Sequence, residues 1–178
     1  MINDVTPSGL PVTARLVGDA DTDFLRAVYA STRELELAPL PWSAEEKHRF
    51  IAHQFGAQTT AYQKNYPGAE FLILVVNGID AGRLYLHRRP DEIRIMDIAL
   101  LPAFRRQGIG SAVVRGVLHE ARTSDRRVTI HVEVFNPAMQ WYQRLGFREV
   151  SRTEVYALME WRADPPRAET GGAAPAPL

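Results

Sequence analysis

The chain has 178 residues, 46 % apolar and 24 % charged, with 21 Lys plus Arg against 21 Asp plus Glu and no cysteine. That length suits one domain with a proper core, and zero formal charge removes the global field that would draw it to nucleic acid or an anionic membrane surface. The missing cysteine excludes disulfides, a thiolate zinc site and a cysteine nucleophile.

Residues 1–10 are polar and read as a flexible N-terminus without a signal-peptide pattern. The longest apolar run, residues 71–76 (FLILVV), is far too short to span a bilayer, so the expected location is cytoplasmic. Residues 11–17 (PVTARLV) suit a first strand. Acids between positions 19 and 23 offer caps for a helix in which Leu25, Val28, Tyr29 and Leu35 recur at roughly helical spacing. The segment APLPW at 38–42 breaks it. Ser43 with Glu46 forms a capping box, and a second helix runs to about Lys64 with Phe50, Ile51 and Phe55 on its apolar side.

Residues 70–101 read as three strands, joined by a hairpin turn at Asn77-Gly78 and another in RRPDE at 88–92. The third changes phase: Ile93 and Ile95 share one face, then Ile98 and Leu100 take the opposite parity. One extra residue near Met96 and Asp97, a β-bulge, accounts for the switch. A helix over 109–123 carries Ile109, Ala112, Val113, Gly116 and Val117 as its buried stripe. In the next strand Val128, Ile130, Val132 and Val134 share one face, and Thr129, His131 and Glu133 the other. Asn136 and Pro137 start a short helix that stops at Gly146. Residues 147–162 supply two more strands. The Pro/Ala/Gly-rich tail at 163–178 cannot bury enough apolar surface to offset chain entropy and is expected to be disordered.

The loop before the 109–123 helix carries the chemistry. It lacks the Lys-Ser/Thr of a P-loop, the small third residue of the dinucleotide fingerprint, and the G-x-S-x-G of a serine-hydrolase elbow. Gly108 and Gly110 still let main-chain amides approach an anion at a helix N-terminus, where unpaired N–H groups and the dipole favour negative charge. Arg105 and Arg106 add side-chain charge. A pyrophosphate suits that site; a plain glycine turn with solvated arginines is the alternative.

Arg105-Arg106-Gln107-Gly108-Ile109-Gly110, followed by Glu133, Asn136, Tyr142 and Gly146-Phe147, resembles the GCN5-related N-acetyltransferase superfamily, whose loop motif is [Q/R]-x-x-G-x-[G/A]. The resemblance implies one α/β domain over 11–162. Its fold would be a central mixed, mostly antiparallel sheet of about seven strands, with helices on both faces and a splayed parallel strand pair. It implies acetyl-CoA as cosubstrate, with Arg105, Arg106 and the amides of Gln107, Gly108, Ile109, Gly110 and Ser111 at the pyrophosphate. Main-chain groups of Ile98, Ala99 and Leu100 would pair with the pantetheine. Tyr142 matches the acid that protonates the CoA thiolate and also touches the cofactor. Asn136 either bonds the cofactor or caps its helix.

Glu133 is the first choice of base for the acceptor amine, and Asp97 is the rival. Arg94 stands where the histone-acetylating branch carries its glutamate, which argues against histone-type chemistry. His131 reads as structural. Arg88 and Arg89 read as solvated. His48 and His53 have the wrong spacing for a shared metal, and no metal is expected. Trp42, Tyr62, Tyr66 and Tyr85 are candidates for lining an acceptor pocket. The implied partners are acetyl-CoA and an amine, with no nucleic acid and no membrane; a homodimer is open. A non-catalytic acyl-CoA-binding module and a purely structural domain are the competing functions.

Overall fold

The computed structural model describes residues 3–5 and 9–163. The tail expectation for 164–178 lies outside the described residues. Strands β1 (Asn3–Val5) and β2 (Pro11–Leu16) lead into helix α1 (Thr22–Leu37) through a 3-10 turn at Asp19–Asp21. Helix α2 (Ala44–Asn65) begins where expected. The Ser43 hydroxyl accepts from Glu46 N at 3.2 Å, and the Glu46 carboxylate accepts from Ser43 N at 2.7 Å. These reciprocal bonds satisfy two otherwise orphaned donors.

Strands β3 (Glu70–Val76), β4 (Ile79–Arg88) and β5 (Glu92–Leu100) form the meander. Asn77 at φ 49° and Gly78 at φ 78° both occupy the left-handed region. Such a two-residue turn matches the twist of the strands it joins. Helix α3 (Ile109–Thr123), strand β6 (Arg127–Glu133), helix α4 (Ala138–Arg144) and strands β7 (Arg148–Arg152) and β8 (Tyr156–Trp161) complete the chain.

The sheet order is β1-β2-β3-β4-β5-β6-β8-β7. Every neighbouring pair is antiparallel except β5 and β6. The seven strands expected from the sequence are β2 to β8. Asn3–Val5, within the stretch read as flexible, adds an eighth by pairing with β2. β8 inserts between β6 and β7, so β7 forms one margin of the sheet.

Alternation along β3 shows how the two layers divide. Leu72, Leu74 and Val76 join the core under α3 and α4, together with Val113, Val117, Ile130 and Tyr142. Ile73 joins a second core with Leu25 and Tyr29 of α1 and Ile51 and Phe55 of α2. Helices therefore cover both faces. Each fully buried aliphatic or aromatic side chain stabilises this arrangement by roughly 1.5–3 kcal/mol.

Two expectations are corrected. Leu35 is 90 % exposed, and Leu37 is buried instead. The buried stripe of α1 is Leu25, Val28, Tyr29 and Leu37, and the polar Thr32, Arg33 and Glu36 between the last two line a cleft. Arg88 is not solvated. It donates to Glu120 at 2.8 and 2.7 Å and to Glu70 at 2.5 Å, clamping β4 to α3. Among the described residues, no helix is long and apolar enough to cross a membrane.

Candidate active site

The site begins where the parallel pair comes apart. β5 and β6 pair only from Glu92↔Arg127 to Ile95↔Ile130. Beyond that the strands continue without pairing, as expected for a splay. The expected bulge lies at the same point: Tyr85 pairs with Asp97 and Leu86 with Ile95, which leaves Met96 unmatched. The Tyr62 hydroxyl donates to the Met96 carbonyl at 3.4 Å.

Leu101 N donates to Ala81 O at 2.9 Å, and Arg83 pairs with Ala99. Antiparallel ladders alternate, so the main-chain groups of Ala99 face β4, while those of Ile98 and Leu100 face the gap. Gly82 permits this close approach. A Cβ there would lie 2.2 Å from Ala99 O.

The loop that follows is built from main chain. Arg106 at φ 62° and Gly108 at φ 77° turn it into the first turn of α3. Amides from residue 106 to residue 111 donate to no acceptor among the described residues; the first helical bond is Ala112 N to Gly108 O. Six consecutive N–H groups without an acceptor among the described residues thus lie together at a helix start. Gln107 braces the loop through Nε2 to Ala103 O at 2.7 Å. Arg105 Nε donates to Leu100 O at 2.8 Å, and its Nη2 donates to Ser31 O and Oγ at 3.1 and 2.9 Å. The Trp141 ring lies 3.4 Å from where a Gly110 Cβ would sit, and its Nε1 donates to Ser111 Oγ at 2.9 Å.

A cleft of about 300 Å³ opens beside the splay, and Asp97, Glu133 and Tyr142 all line it. Sequence reasoning therefore named three groups that the fold brings together across two strands and a helix. Tyr142 is buried against Trp141 and Phe147, with ring centroids 4.6 and 5.4 Å away. Burial raises its pKa, and the negative charge of Asp97 raises it further. Glu133 is exposed at the end of β6.

Asp97 is engaged by Arg83, whose Nη2 donates to it at 2.7 Å and to Gln58 Oε1 at 3.2 Å. Burial pushes the Asp97 carboxyl above the ordinary range, and Arg83 only partly offsets that. The Arg83 guanidinium is 2 % exposed and lies over the rings of Tyr29 and Tyr85, at 5.6 and 5.2 Å. Its Nε and Nη1 have no acceptor among the described residues.

Asn136 caps α4: its Oδ1 accepts from Ala138 N at 2.9 Å, and Asn136 itself lines the cleft. His131 also lines the cleft. Its Nδ1 is hydrogen-bonded by Arg94, and its pKa is lowered by burial and by that cation. Of the aromatic candidates, Tyr62 lines the cleft. Tyr85 lines a separate hollow of about 630 Å³ between α1 and α2. Tyr66 packs on His87, and Trp42 packs on Phe50 away from the cleft. The sequence reading missed Arg83, Gly82 and the cleft wall of Tyr29, Thr32, Arg33 and Glu36. Its available signal was a charge, Arg83, set in the apolar strand AGRLYL.

The sequence profile of the acetyltransferase (GNAT) family matches residues 29–147. A comparison with curated proteins finds no match. Among solved structures, the chain is similar to PaiA N-acetyltransferase from Thermoplasma acidophilum in complex with coenzyme A. The TM-score is 0.66 at 14 % identity, over 85 % of this chain and 99 % of that one. It is also similar to Ard1 from Thermoplasma volcanium, with a TM-score of 0.57 at 18 % identity, over 86 % and 99 % of the two chains. A third is Naa50 from Arabidopsis thaliana in complex with the bisubstrate analogue CoA-Ac-MVNAL. There the TM-score is 0.54 at 16 % identity, over 85 % and 99 %.

Proposed function

We infer the chemistry from one premise: the chain belongs to the GNAT acetyltransferase family. We propose that it moves an acetyl group from acetyl-CoA directly to a primary amine. The observation that carries this reading is the run of free amides at residues 106–111, adjoining the open edge of β5. A diphosphate fits that cradle, since it offers several acceptor oxygens and negative charge to N–H groups at a helix start. Leu100 N–H and both main-chain groups of Ile98 suit an extended amide-bearing arm, which would add to β5 as a strand does. Solved neighbours described with coenzyme A or a CoA bisubstrate analogue support the same cosubstrate.

Acetyl-CoA supplies an activated thioester when bound. The chain's residues then do three things. The amides and the β5 edge hold and orient the donor. Glu133 accepts a proton from the acceptor ammonium through one water, which frees the nitrogen lone pair. Tyr142 gives its phenolic proton to the departing thiolate as the new C–N bond forms and the C–S bond breaks, and the second proton of the acylated nitrogen passes through solvent to restore the phenol. The raised pKa keeps Tyr142 protonated. Water exclusion raises the pKa of a neighbouring thiol as well, so the transfer stays feasible. Asp97, already engaged by the Arg83 guanidinium, is the less accessible of the two carboxylates, which favours Glu133 as the base.

The test is a free-thiol release assay with acetyl-CoA against a panel of amines, paired with a thermal shift by coenzyme A. Thiol release with at least one amine is expected. Stabilisation without release would favour a binding module, and no stabilisation at millimolar coenzyme would remove the cradle reading.

A further inference from the structure

We propose that Arg105 is a positioning residue. It sets the distance between the strand that orients the acyl donor and the helix that walls the acceptor cleft, and it does not act as a phosphate-binding cation. The inference rests on the function proposed above and adds a residue to it. One planar guanidinium joins three acceptors: the Leu100 carbonyl at 2.8 Å, the Ser31 carbonyl at 3.1 Å and the Ser31 hydroxyl at 2.9 Å. The Ser31 hydroxyl donates in turn to Val28 O at 2.8 Å, so its remaining capacity is the acceptor that Arg105 uses.

Leu100 ends the open edge of β5, and Ser31 sits in the middle of α1. Immediately past Ser31, Thr32, Arg33 and Glu36 line the acceptor cleft. Arg105 is therefore a strut from the donor slot to the acceptor wall. Direct transfer needs nitrogen and carbonyl carbon in near contact, and a shift of about 1 Å can cost on the order of a hundredfold in rate. Neither Lys nor Gln can replace the strut. Lys offers a point charge on a flexible stem and lacks the fork. Gln, the other residue allowed by the motif, is shorter and has one amide nitrogen.

The test compares Arg105→Gln, Arg105→Lys and Ser31→Ala in the full chain. Three readouts are used: the coenzyme A Kd by calorimetry, kcat and KM for an accepted amine, and hydrogen exchange of residues 29–36. The expected result is a coenzyme A Kd within about twofold for all three variants. Both Arg105 variants should lower kcat and raise amine KM, for a drop of roughly tenfold or more in kcat/KM. Exchange in residues 29–36 should quicken in both. Ser31→Ala should show a smaller effect, because the Ser31 carbonyl remains.

Loss of coenzyme affinity in Arg105→Gln, restored by Arg105→Lys, would show a phosphate-binding charge and overturn the proposal. Unchanged kinetics and exchange would overturn it too. If the wild-type chain acetylates no amine, the function proposed above falls. Exchange still reads the strut in that case, and unchanged protection of α1 in Arg105→Gln would sink it separately.

Discussion

The indole Nε1 of Trp141 donates to the hydroxyl of Ser111 at 2.9 Å. The bond ties the helix that carries Tyr142 to the first turn of α3, where the free amides lie. Trp141→Phe should keep an aromatic ring near Gly110 and remove the donor. Losing one such bond is worth about 1 kcal/mol. Coenzyme A Kd should therefore rise roughly fivefold, as measured by calorimetry. An unchanged Kd would mean that the cradle holds its shape without the tie.

Tyr142→Phe preserves the ring contacts and deletes the proton. We expect kcat to fall about a hundredfold or more, with coenzyme A affinity nearly unchanged. In the wild type, burial and Asp97 hold the phenol's pKa above its usual value. Any alkaline fall of kcat due to Tyr142 should then lie above about pH 10. Comparable losses in kcat and in binding would point to packing.

Glu133→Gln removes the exposed carboxylate at the end of β6. Its kcat/KM should drop at neutral pH and recover as pH rises toward the acceptor amine's own pKa, where no base is needed. A pH–rate profile parallel to the wild type would assign the proton to Asp97 or solvent.

Two glycines should respond in opposite directions to alanine. At Gly82 a Cβ would meet Ala99 O at 2.2 Å and Leu100 Cα at 2.9 Å. Gly82→Ala must displace β5 and should lose at least about 2 kcal/mol of stability, together with coenzyme binding. At Gly56, inside α2, nothing lies within 4 Å. Gly56→Ala should gain about 0.5–1 kcal/mol. Urea unfolding of both variants reads the contrast.

Arg15 grips Asp21 with two bonds of 2.8 Å, and Gly18 N donates to the same carboxylate at 2.7 Å. These bonds hold Asp21 at a pKa of about 2, below its ordinary 3.8. Between those values the unfolded chain binds more protons than the folded one, so stability rises with pH. The contribution is complete above the ordinary value and is lost as pH falls toward about 2. Asp21→Asn should flatten that limb when Tm is followed between about pH 2 and 5. A limb as steep as the wild type's would place the acid sensitivity elsewhere.

Features that depend on local pattern were legible in the sequence. The parity switch from Ile93 and Ile95 to Ile98 and Leu100 located the bulge at Met96. Asn77-Gly78 and Ser43 with Glu46 announced their turn and cap. Contacts that join distant segments were not legible. Arg83 and Asp97 meet because the bulge turns Asp97 toward the α1 side, where two tyrosine rings shelter the guanidinium. Arg105 read as phosphate-directed charge, since its helix start is adjacent in sequence and Ser31 is remote. Leu35 followed helical spacing only loosely, and the buried stripe resumes at Leu37 after polar residues that line the cleft. Nor does chain order reveal that β8 slips between β6 and β7.

The proposed donor slot is lined by peptide groups from β5 and the α3 start, so its bonding pattern follows the path of the main chain and depends on side chains only where they hold that path. Evolution can exchange side chains that leave this path intact. It is constrained where a side chain must be missing, at Gly82 under β5 and at Gly108 in its left-handed turn. Divergence in such a scaffold should accumulate on the amine-facing walls while the coenzyme groove persists almost unchanged in shape.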